Sequence, residues 1–460
     1  MSKDSSAVPV LQLPVTDRSR QLADVFTTRF KCNPQFFVRV PGRVNLIGEH
    51  IDYCGYGVCP MALEQDILLA VSCEEGDDIH LHNVEDTYPD HVGSIRNVEI
   101  KIGEGAPQWH QYFFCGVRGI LDILPEGTNL RSMKIAVSGR VPQRAGLSSS
   151  SALVSAAALA TAYAHELELA KDKIASVCAE CERYIGTQGG GMDQAIAFLA
   201  TEGCAKFIEF SPLRSTDVAL PAGAVFVISH SKTNLNKAAT SHFNCRVVEC
   251  RLAAQIIAKK QGLEWTSVKR LGELQTRLNV DLPSMISLVE RTLHEEPYSK
   301  AEVVAELDTT SARLDEVSLT ANTRNIESFK LRQRALHVFK EALRVEMFHQ
   351  TCKNAEEGAL QILGRLMTES HESLRDLYEC SHPQLDRLVE LSLDLSLGSR
   401  LTGAGWGGCV VSLVRPENVD AFKNSLKEKF YAPLGITCEK ELESALFATA
   451  PNSGASILVA

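Results

Sequence analysis

A serine-rich loop between two contrasting hydrophobic patterns constrains the fold of this chain more than any other stretch. Residues 141–152 read Val-Pro-Gln-Arg-Ala-Gly-Leu-Ser-Ser-Ser-Ser-Ala. Before them, residues 133–138 alternate apolar and polar side chains as a half-buried strand does. After them, residues 152–167 are rich in alanine and leucine, which favour a helix. The sequence therefore predicts a strand, a tight loop and a helix in that order.

The predicted loop has the properties of an anion-binding site. Gly146 can adopt backbone angles that other residues resist. Serines 148–151 can supply an N-cap oxygen and free backbone N–H groups at the positive end of the helix dipole, where phosphate groups bind readily. The alternative is that the serines only cap a buried helix, but capping requires one serine and this loop has four. The pattern therefore favours a phosphate site.

Length and charge restrict the class of protein. A chain of 460 residues is too long for one ordinary core, so two domains are expected. The 57 acidic side chains outnumber the 47 basic ones, which disfavours a nucleic-acid partner and fits a small-molecule substrate better. The N-terminus lacks the build of a secretory signal, and no apolar run reaches the ~20 residues that a membrane span needs. We therefore expect a cytoplasmic protein that binds neither nucleic acid nor membrane.

Periodic segments and prolines indicate how the chain divides. Residues 1–20 have no periodicity and are expected to form a flexible tail. The predicted N-terminal domain covers residues 21–215 and the C-terminal domain covers residues 216–460, because two prolines bound a loop near that division. Within the second domain, residues 262–372 have a charged, helical pattern without a chemical motif.

Single histidines and a close cysteine pair in helical patterns are interpreted as structural. His337, His349 and His371 each stand alone, and a lone histidine is more often a satisfied surface or core residue than a ligand. Cys178 and Cys181 have no second pair at zinc spacing. Packing in the core is therefore the expected role of both cysteines.

Residues 42–53 concentrate hydrogen-bonding side chains beside glycines. Arg43, Glu49, His50 and Asp52 lie within ten residues of the chain. A surface loop with incidental charges is the simplest explanation. Carboxylates and a histidine can instead hold the hydroxyl groups of a sugar, since each hydroxyl both donates and accepts hydrogen bonds. The stretch is therefore a candidate sugar site.

Three consecutive glycines precede an aspartate at a second point of interest. Gly189, Gly190 and Gly191 would cost conformational entropy in an ordinary turn, but they allow the backbone to press against a ligand. Asp193 follows them. An N-cap and a catalytic base are equally good interpretations of this aspartate on its own.

A third glycine-rich run, residues 401–408, imitates a dinucleotide-binding fingerprint. Gly403, Gly405 and Gly408 have its spacing, but that fingerprint must follow a strand and begin a helix. Here a helical segment is expected before the glycines and a strand, residues 409–414, after them. The dinucleotide interpretation therefore fails, and the absence of any Gly-Lys pair also excludes a P-loop.

Taken in order, residues 42–53, 142–152 and 401–408 resemble the three motifs of the kinase superfamily of galactokinase, homoserine kinase, mevalonate kinase and phosphomevalonate kinase, the GHMP kinases. The first motif is similar to the galactokinase signature in particular, and the likeness extends to the end of the chain. This resemblance implies an α+β fold, the two-domain GHMP-kinase fold with a cleft between the domains, and ATP-dependent kinase activity.

The resemblance also implies roles for individual residues. Asp193 matches the catalytic aspartate, and Arg43 matches the arginine beside the transferred phosphate; both also contact the substrate. The further sugar contacts are matched by Glu49, His50, Asp52 and Gly190. The ATP contacts are matched by Gly146, Ser148, Ser149, Ser150, Ser151, Asn236 and Lys237. Ser150 matches the magnesium-binding serine, so Mg²⁺ is implied as a cofactor together with ATP.

The same resemblance implies a reaction, in which the anomeric C1 hydroxyl of a sugar attacks the γ-phosphate of Mg-ATP. This chain departs from the usual galactokinase pattern at Ile51, Cys54 and Tyr56, and the variant is similar to kinases of N-acetylgalactosamine. We therefore expect a monomer that phosphorylates N-acetylgalactosamine, with this loop and the backbone of residues 189–191 leaving room for the acetamido group at C2.

Two alternatives remain for the function. One is a galactokinase with galactose as its main substrate. The other is a sensor that binds ATP and galactose but signals through a protein partner without turnover. The loss of phosphate-loop residues would favour the sensor, and this chain retains all four serines. Turnover is therefore the favoured interpretation.

Overall fold

A computed structural model describes residue 4 and residues 6–100, 107–233 and 241–459. Its strands are β1 Val10–Gln12, β2 Phe36–Ile47, β3 Cys59–Glu75, β4 Asp78–Asn83, β5 His91–Ser94, β6 Arg131–Gly139, β7 Ala205–Phe210, β8 Leu213–Val218, β9 Val225–His230, β10 Tyr298–Ser299, β11 Ser328–Phe329, β12 Gly398–Thr402, β13 Cys409–Val414, β14 Leu446–Thr449 and β15 Ser456–Val459.

The helices alternate with these strands and fill the middle of the chain. They are α1 Asp17–Phe30, α2 Trp109–Leu121, α3 Ser149–Ala164, α4 Lys171–Cys181, α5 Met192–Leu199, α6 Ser241–Lys260, α7 Leu271–Leu278, α8 Leu282–Thr292, α9 Lys300–Leu307, α10 Ser311–Val317, α11 Leu331–Asn354, α12 Ala359–Asp376, α13 Pro383–Leu393, α14 Val419–Leu426 and α15 Glu439–Ala445.

A seven-stranded sheet with the order β1-β15-β2-β3-β6-β4-β5 dominates the N-terminal half. Successive side chains of a strand point to opposite faces, so both faces of the long β2–β3 pair are buried. Val38 pairs with Leu69 and packs with the helices α2, α3 and α4. Phe37 and Leu68 belong to a separate cluster with Phe26 of α1. The sheet is therefore covered by helices on both faces.

A four-stranded antiparallel sheet with the order β12-β13-β9-β14 lies in the C-terminal half. Its strand β13 is buried at every residue, and the helix α11 packs against α6, α8 and α12. The largest hydrophobic cluster contains Leu46 and Leu147 of the first half together with Val248, Phe339 and Val411 of the second. The two halves are therefore packed on a common core, in a fold of mixed helices and sheets as the prediction of an α+β class expected.

The local patterns around the serine-rich loop are confirmed. Residues 133–138 lie in β6, and the predicted helix is α3, which begins at Ser149. Residues 409–414 form β13. The buried thiols of Cys178 and Cys181 lie in α4, in the core as expected. These segments were predictable because their hydrophobic periodicity depends on near neighbours in the chain.

Other expectations are corrected. Residues 10–20 are not a loose tail, because β1 pairs with β15 and α1 begins at Asp17. The predicted boundary at residues 215 and 216 falls inside β8, and β15 returns to the N-terminal sheet. The strand β12, and not a helical segment, precedes the third glycine-rich run, which joins β12 to its antiparallel neighbour β13. No helix in the described ranges is long and apolar enough to span a membrane.

Candidate active site

Two adjacent cavities lie against the predicted site residues. The small cavity is lined by Glu49, Asp52 and the backbone of residues 189–191. The large cavity is lined by the serine-rich loop and by aromatic side chains. The small cavity therefore contains the candidate sugar motif, and the large cavity contains the candidate phosphate loop.

Arg43 and Asp193 line both cavities and form an ion pair between them. The Nη2 and Nε atoms of Arg43 are each 2.8 Å from Oδ1 of Asp193. The two side chains retain only 6% and 13% of their exposure, respectively. Strand β2 supplies the arginine and helix α5 supplies the aspartate. A cation and a possible proton acceptor are thus held together where the cavities meet.

The position of Asp193 decides between the two interpretations of this residue. Gly191 occupies the N-cap position of α5 with a φ of 105°, a conformation that glycine adopts without steric cost. Asp193 lies inside the first turn of the helix, where a negative charge is stabilised by the helix dipole. The N-cap interpretation is therefore wrong, and the carboxylate instead faces the cavities.

The serine-rich loop delivers three of its serines to the large cavity. Ser148, Ser149 and Ser150 line it. Ser148 precedes α3 with a φ of 63° and makes no capping hydrogen bond, so the predicted N-cap oxygen is absent. Its buried Oγ has no hydrogen-bond partner among the described residues. An unpaired hydroxyl beside a helix N-terminus is suited to a phosphate oxygen, and simple capping does not explain it.

Close contact with the third glycine-rich run fixes the shape of this loop. Gly146 has a φ of 72°, and a Cβ atom there would lie 2.6 Å from the carbonyl oxygen of Thr402. A Cβ atom on Gly403 would in turn lie 2.5 Å from the carbonyl oxygen of Gly146. Both glycines are therefore required where the second and third motifs touch. This contact joins an N-terminal loop to the β12–β13 connection.

Ser151 faces away from the large cavity and joins a buried acidic cluster. Its Oγ lies 2.8 Å from Oε2 of Glu182 and 3.2 Å from Oδ2 of Asp193. The amide of Gln194 donates to the same Oε2 atom of Glu182. Glu182 lines both cavities. Sequence reasoning assigned no role to this glutamate, because a single acidic residue in a helical pattern gives no functional signal.

Glu49 is held in the small cavity by a buried arginine. Its Oε2 atom lies 2.8 Å from Nη2 of Arg400, which belongs to β12. Burial raises the pKa of Glu49, whereas Arg400 and, to a lesser extent, Arg43 lower it. The sugar motif therefore contains a carboxylate whose charge depends on a partner 351 positions away in the chain.

His50 links the sugar motif to the third glycine-rich run. Its Nε2 atom lies 2.9 Å from the carbonyl oxygen of Ala404, so this nitrogen donates. In the neutral ring Nδ1 then accepts from the hydroxyl of Tyr53 at 2.7 Å, and Tyr53 accepts from Tyr378 at 2.6 Å. Both ring nitrogens of His50 are therefore engaged within the protein.

Gly190 is packed against the sugar motif. A Cβ atom there would lie 2.3 Å from the backbone nitrogen of Tyr53 and 2.5 Å from the carboxyl group of Asp52. Oδ2 of Asp52 also accepts from the backbone nitrogen of Met192 at 3.3 Å. Only glycine permits this approach, which brings the start of α5 against Asp52.

The three departures from the galactokinase pattern do not face the small cavity. Ile51 and Cys54 are buried in the core, and neither they nor Tyr56 line either cavity. The hydroxyl of Tyr56 instead donates to Gln275 of α7 at 2.7 Å. Any room that this loop leaves for a C2 substituent therefore does not come from these three side chains lining a cavity. Residues 189–191 do line the small cavity, as expected.

Two predicted nucleotide contacts, Asn236 and Lys237, lie outside the described residues. The large cavity is also lined by two aromatic residues that sequence reasoning missed. Tyr88 and Trp109 line it, with their ring centroids 6.0 Å apart in an edge-on arrangement. Tyr88 lies in a bend between two strands and Trp109 begins α2, and no local motif marked either of them as a cavity residue.

Comparisons with known proteins agree with this architecture. Three family models match the chain: "Galactokinase galactose-binding signature" at residues 24–73, "GHMP kinases N terminal domain" at 114–201 and "GHMP kinases C terminal" at 351–432. The crystal structure of Lactococcus lactis galactokinase complexed with galactose has a TM-score of 0.73 at 23% identity, over 95% of this chain and 99% of that one. The fold is therefore that of the GHMP kinases.

Curated relatives define the family more narrowly. The galactokinase of Dictyostelium discoideum is 41% identical, covering 96% of this chain and 94% of that protein. The galactokinase of Saccharomyces cerevisiae is 32% identical, covering 98% of this chain and 97% of that protein. The chain therefore belongs to the galactokinase family and is a sugar kinase of the galactokinase type.

Proposed function

We propose that this protein transfers the γ-phosphoryl group of ATP to the C1 hydroxyl of a galactose-type sugar. The observation that carries the proposal is the Arg43–Asp193 ion pair, which lies where the two cavities meet. A phosphoryl-transfer enzyme must hold its two substrates end to end, with charge-stabilising and proton-accepting groups at their junction. The arrangement of the two cavities meets this requirement.

The chemistry of each cavity supports one of the two substrates. The small cavity contains the carboxylates of Glu49 and Asp52, which are suited to sugar hydroxyl groups as ionised acceptors. The large cavity combines aromatic side chains with the N-terminus of α3 and the unpaired hydroxyl of Ser148. Aromatic side chains suit a nucleobase, and a helix N-terminus suits phosphate groups. The small cavity is therefore assigned to the sugar and the large cavity to ATP.

Asp193 and Arg43 carry out the transfer in this proposal. Asp193 orients the C1 hydroxyl and accepts its proton as the oxygen attacks the γ-phosphorus atom in line. Arg43 offsets the negative charge on the phosphoryl oxygens, and its ion pair fixes the carboxylate. The products are a sugar 1-phosphate and ADP.

Oxygen atoms beside the phosphate loop fit Mg²⁺. Ser150 and Glu182 both line the large cavity, and hydroxyl and carboxylate oxygens are suitable ligands for this hard cation. The described residues contain no group of three or more histidine, cysteine, aspartate or glutamate side chains that could hold a metal by itself. A bound Mg²⁺ would therefore depend on ATP oxygens for further ligands and would supply charge neutralisation there.

Two sugars remain candidates for the small cavity. The names of the curated relatives, both galactokinases, favour galactose. N-acetylgalactosamine, the sugar favoured by the sequence, requires free space beside C2. Ile51, Cys54 and Tyr56 do not line the small cavity, but Gly189 does, and a Cβ atom there would meet no atom within 4 Å. This opening beside residue 189 supports the second sugar.

Steady-state kinetics on one preparation test both parts of the proposal. ADP formation is measured with ATP and galactose, N-acetylgalactosamine or mevalonate, and the anomeric phosphate is identified by phosphorus NMR. Phosphorylation at C1 of either sugar supports the proposal, and the ratio of the two kcat/KM values identifies the preferred substrate. Binding of ATP and sugar without turnover would favour the sensor alternative instead.

A further inference from the structure

We propose that Arg400 is a positioning residue of the kinase, which holds the carboxylate of Glu49 ionised and correctly oriented for a sugar hydroxyl group. This inference rests on the proposed function, which makes Glu49 a sugar contact. Arg400 lies outside both cavities, so it acts through Glu49 and not on the substrate.

The geometry of Arg400 is that of a fixed, fully desolvated cation. Its side chain has 0% exposure, and that of Glu49 has 3%. Nη2 of Arg400 lies 2.8 Å from Oε2 of Glu49, and Nη1 donates to the backbone oxygen of Asn45 at 2.9 Å. The guanidinium therefore contacts the sugar motif at two points. A bond to a carboxylate in such surroundings is both short and strongly orienting.

The backbone of the sugar motif is held separately, by the helical region that carried no motif in the sequence. Oε1 of Glu341, in α11, accepts from the backbone nitrogens of Gly48 at 2.9 Å and Glu49 at 3.3 Å. His337 of the same helix donates from Nε2 to the backbone oxygen of Glu49 at 3.1 Å. With the main chain anchored there, the side chain of Glu49 is oriented by Arg400 and by a hydrogen bond from the backbone of Gly403.

The charge of Glu49 also depends on Arg400. Burial raises the pKa of Glu49, and Arg400 opposes this rise more strongly than Arg43 does. Removal of the Arg400 charge therefore raises the pKa of Glu49 further, so the carboxylate takes up a proton at a higher pH. A protonated Glu49 has lost much of its ability to accept a hydrogen bond from a sugar hydroxyl.

Other titratable groups around Glu49 have pKa values far from 7. Burial raises the pKa of Glu341, but Arg344 and then Arg400 lower it to about 2, so this residue remains ionised. Burial lowers the pKa of His337 to about 4, and burial raises that of Cys380 to about 12, so both are neutral near pH 7. Of Glu49 and Glu341, the two carboxyl groups whose pKa Arg400 lowers, Glu49 is therefore the one whose pKa is raised overall.

The test uses the full-length chain with Arg400→Met, Arg400→Lys, Glu49→Gln and the double variant Arg400→Met with Glu49→Gln. The profile of kcat/KM for the preferred sugar against pH is measured at saturating ATP. In Arg400→Met we expect the acidic limb to move to higher pH by about one unit or more and the sugar KM to rise about 10-fold or more, with the ATP KM changed less than about 2-fold. Arg400→Lys should restore part of the shift.

Two comparisons separate positioning from loss of structure. The pH profile of the double variant should match that of Glu49→Gln, because neither variant has a carboxylate at residue 49 to be protonated. Arg39→Met removes another ion pair of the same strand as Arg43, with Nε 2.6 Å from Oδ2 of Asp66 and a 16% exposed side chain. Its pH profile should match that of the parent. If Arg400→Met does not fold, the pH profile and sugar KM of Arg400→Lys are compared with those of the parent instead, and a smaller shift is expected.

An unchanged sugar KM and an unchanged acidic limb in folded Arg400→Met and Arg400→Lys would overturn the inference. The inference would also be overturned if Arg400→Met moved the acidic limb equally in the parent protein and in Glu49→Gln. The proposed function fails by a different result, in which the parent protein phosphorylates no galactose-type sugar.

Discussion

Several non-glycine residues beside the cavities adopt positive φ angles. His50 has a φ of 65°, Arg144 of 52° and Ser148 of 63°. This conformation costs about 1–2 kcal/mol for a residue with a Cβ atom, and such strain persists where surrounding contacts hold it. His50 is held by its hydrogen bonds to Tyr53 and Ala404. Two of these residues, His50 and Ser148, are among those assigned to the sugar and to the phosphate groups.

The adjacent glycines Gly189 and Gly190 give a matched pair of variants. Gly190→Ala would place a Cβ atom 2.3 Å from the backbone nitrogen of Tyr53, so the sugar motif must shift. We expect the sugar KM of this variant to rise about 10-fold or more, since overpacking of this kind costs about 1–3 kcal/mol. Gly189→Ala meets no atom within 4 Å and should leave galactose kinetics nearly unchanged. Equal KM values for both variants would contradict the assignment.

Ser150→Ala tests the assignment of the metal. The substitution removes a hydroxyl oxygen from the large cavity but leaves the helix N-terminus intact. The Mg²⁺ concentration for half-maximal rate should increase several-fold, while the sugar KM remains within about 2-fold. Titration of Mg²⁺ at fixed ATP measures the effect. Identical titrations for the variant and the parent would exclude Ser150 as a ligand.

Site residues that lie in local glycine-containing motifs could be predicted from the sequence. A residue whose partner is distant in the chain could not. Arg43, Glu49, Asp52 and Asp193 stand beside glycines that their function requires. Arg400 reaches Glu49 across 351 positions, and no local pattern marks it.

At the scale of elements, the contact between the serine-rich loop and the β12–β13 connection is the feature that joins the two halves at the site. Gly146→Ala should displace this contact, because its Cβ atom would lie 2.6 Å from the oxygen of Thr402. We expect the ATP KM to rise about 10-fold and the melting temperature to fall.

Gly262→Ala is the matched control for that prediction. Gly262 has a φ of 76°, close to the 72° of Gly146, but a Cβ atom there meets nothing within 4 Å. It should therefore show only the cost of the left-handed conformation, about 1 kcal/mol, with unchanged ATP kinetics. If both variants had the same ATP KM and the same melting temperature, the contact would have no role in shaping the loop.

Elements with strong local periodicity were predictable, and those defined by pairing partners were not. The strand β6 and helix α3 follow from their hydrophobic patterns. The strand β12 contains Arg400 and Ser399, which are polar yet fully buried, so its pattern did not indicate a strand. The strand β1 is only three residues long and exposed, and its pairing with β15 depends on the far end of the chain.

At the scale of the whole molecule, the candidate active site is assembled from distant parts of the chain. Arg43 comes from the first sheet, Asp193 from α5, and the third glycine-rich run from the hairpin of the second sheet. The region from 262 to 372, whose role the sequence did not reveal, anchors the sugar motif through Glu341 and His337. The two cavities and the motifs that line them are therefore a single unit in which each motif requires the others for its shape.

The most direct test of this account is the turnover of Asp193→Asn. Asparagine preserves the shape of the side chain but cannot accept a proton, so we predict a fall in kcat of about 100-fold or more. Calorimetry should show sugar and ATP affinities within a few-fold of the parent values, because the cavities themselves are unchanged. Turnover by Asp193→Asn within a few-fold of the parent rate would contradict the assignment of Asp193 as the catalytic base.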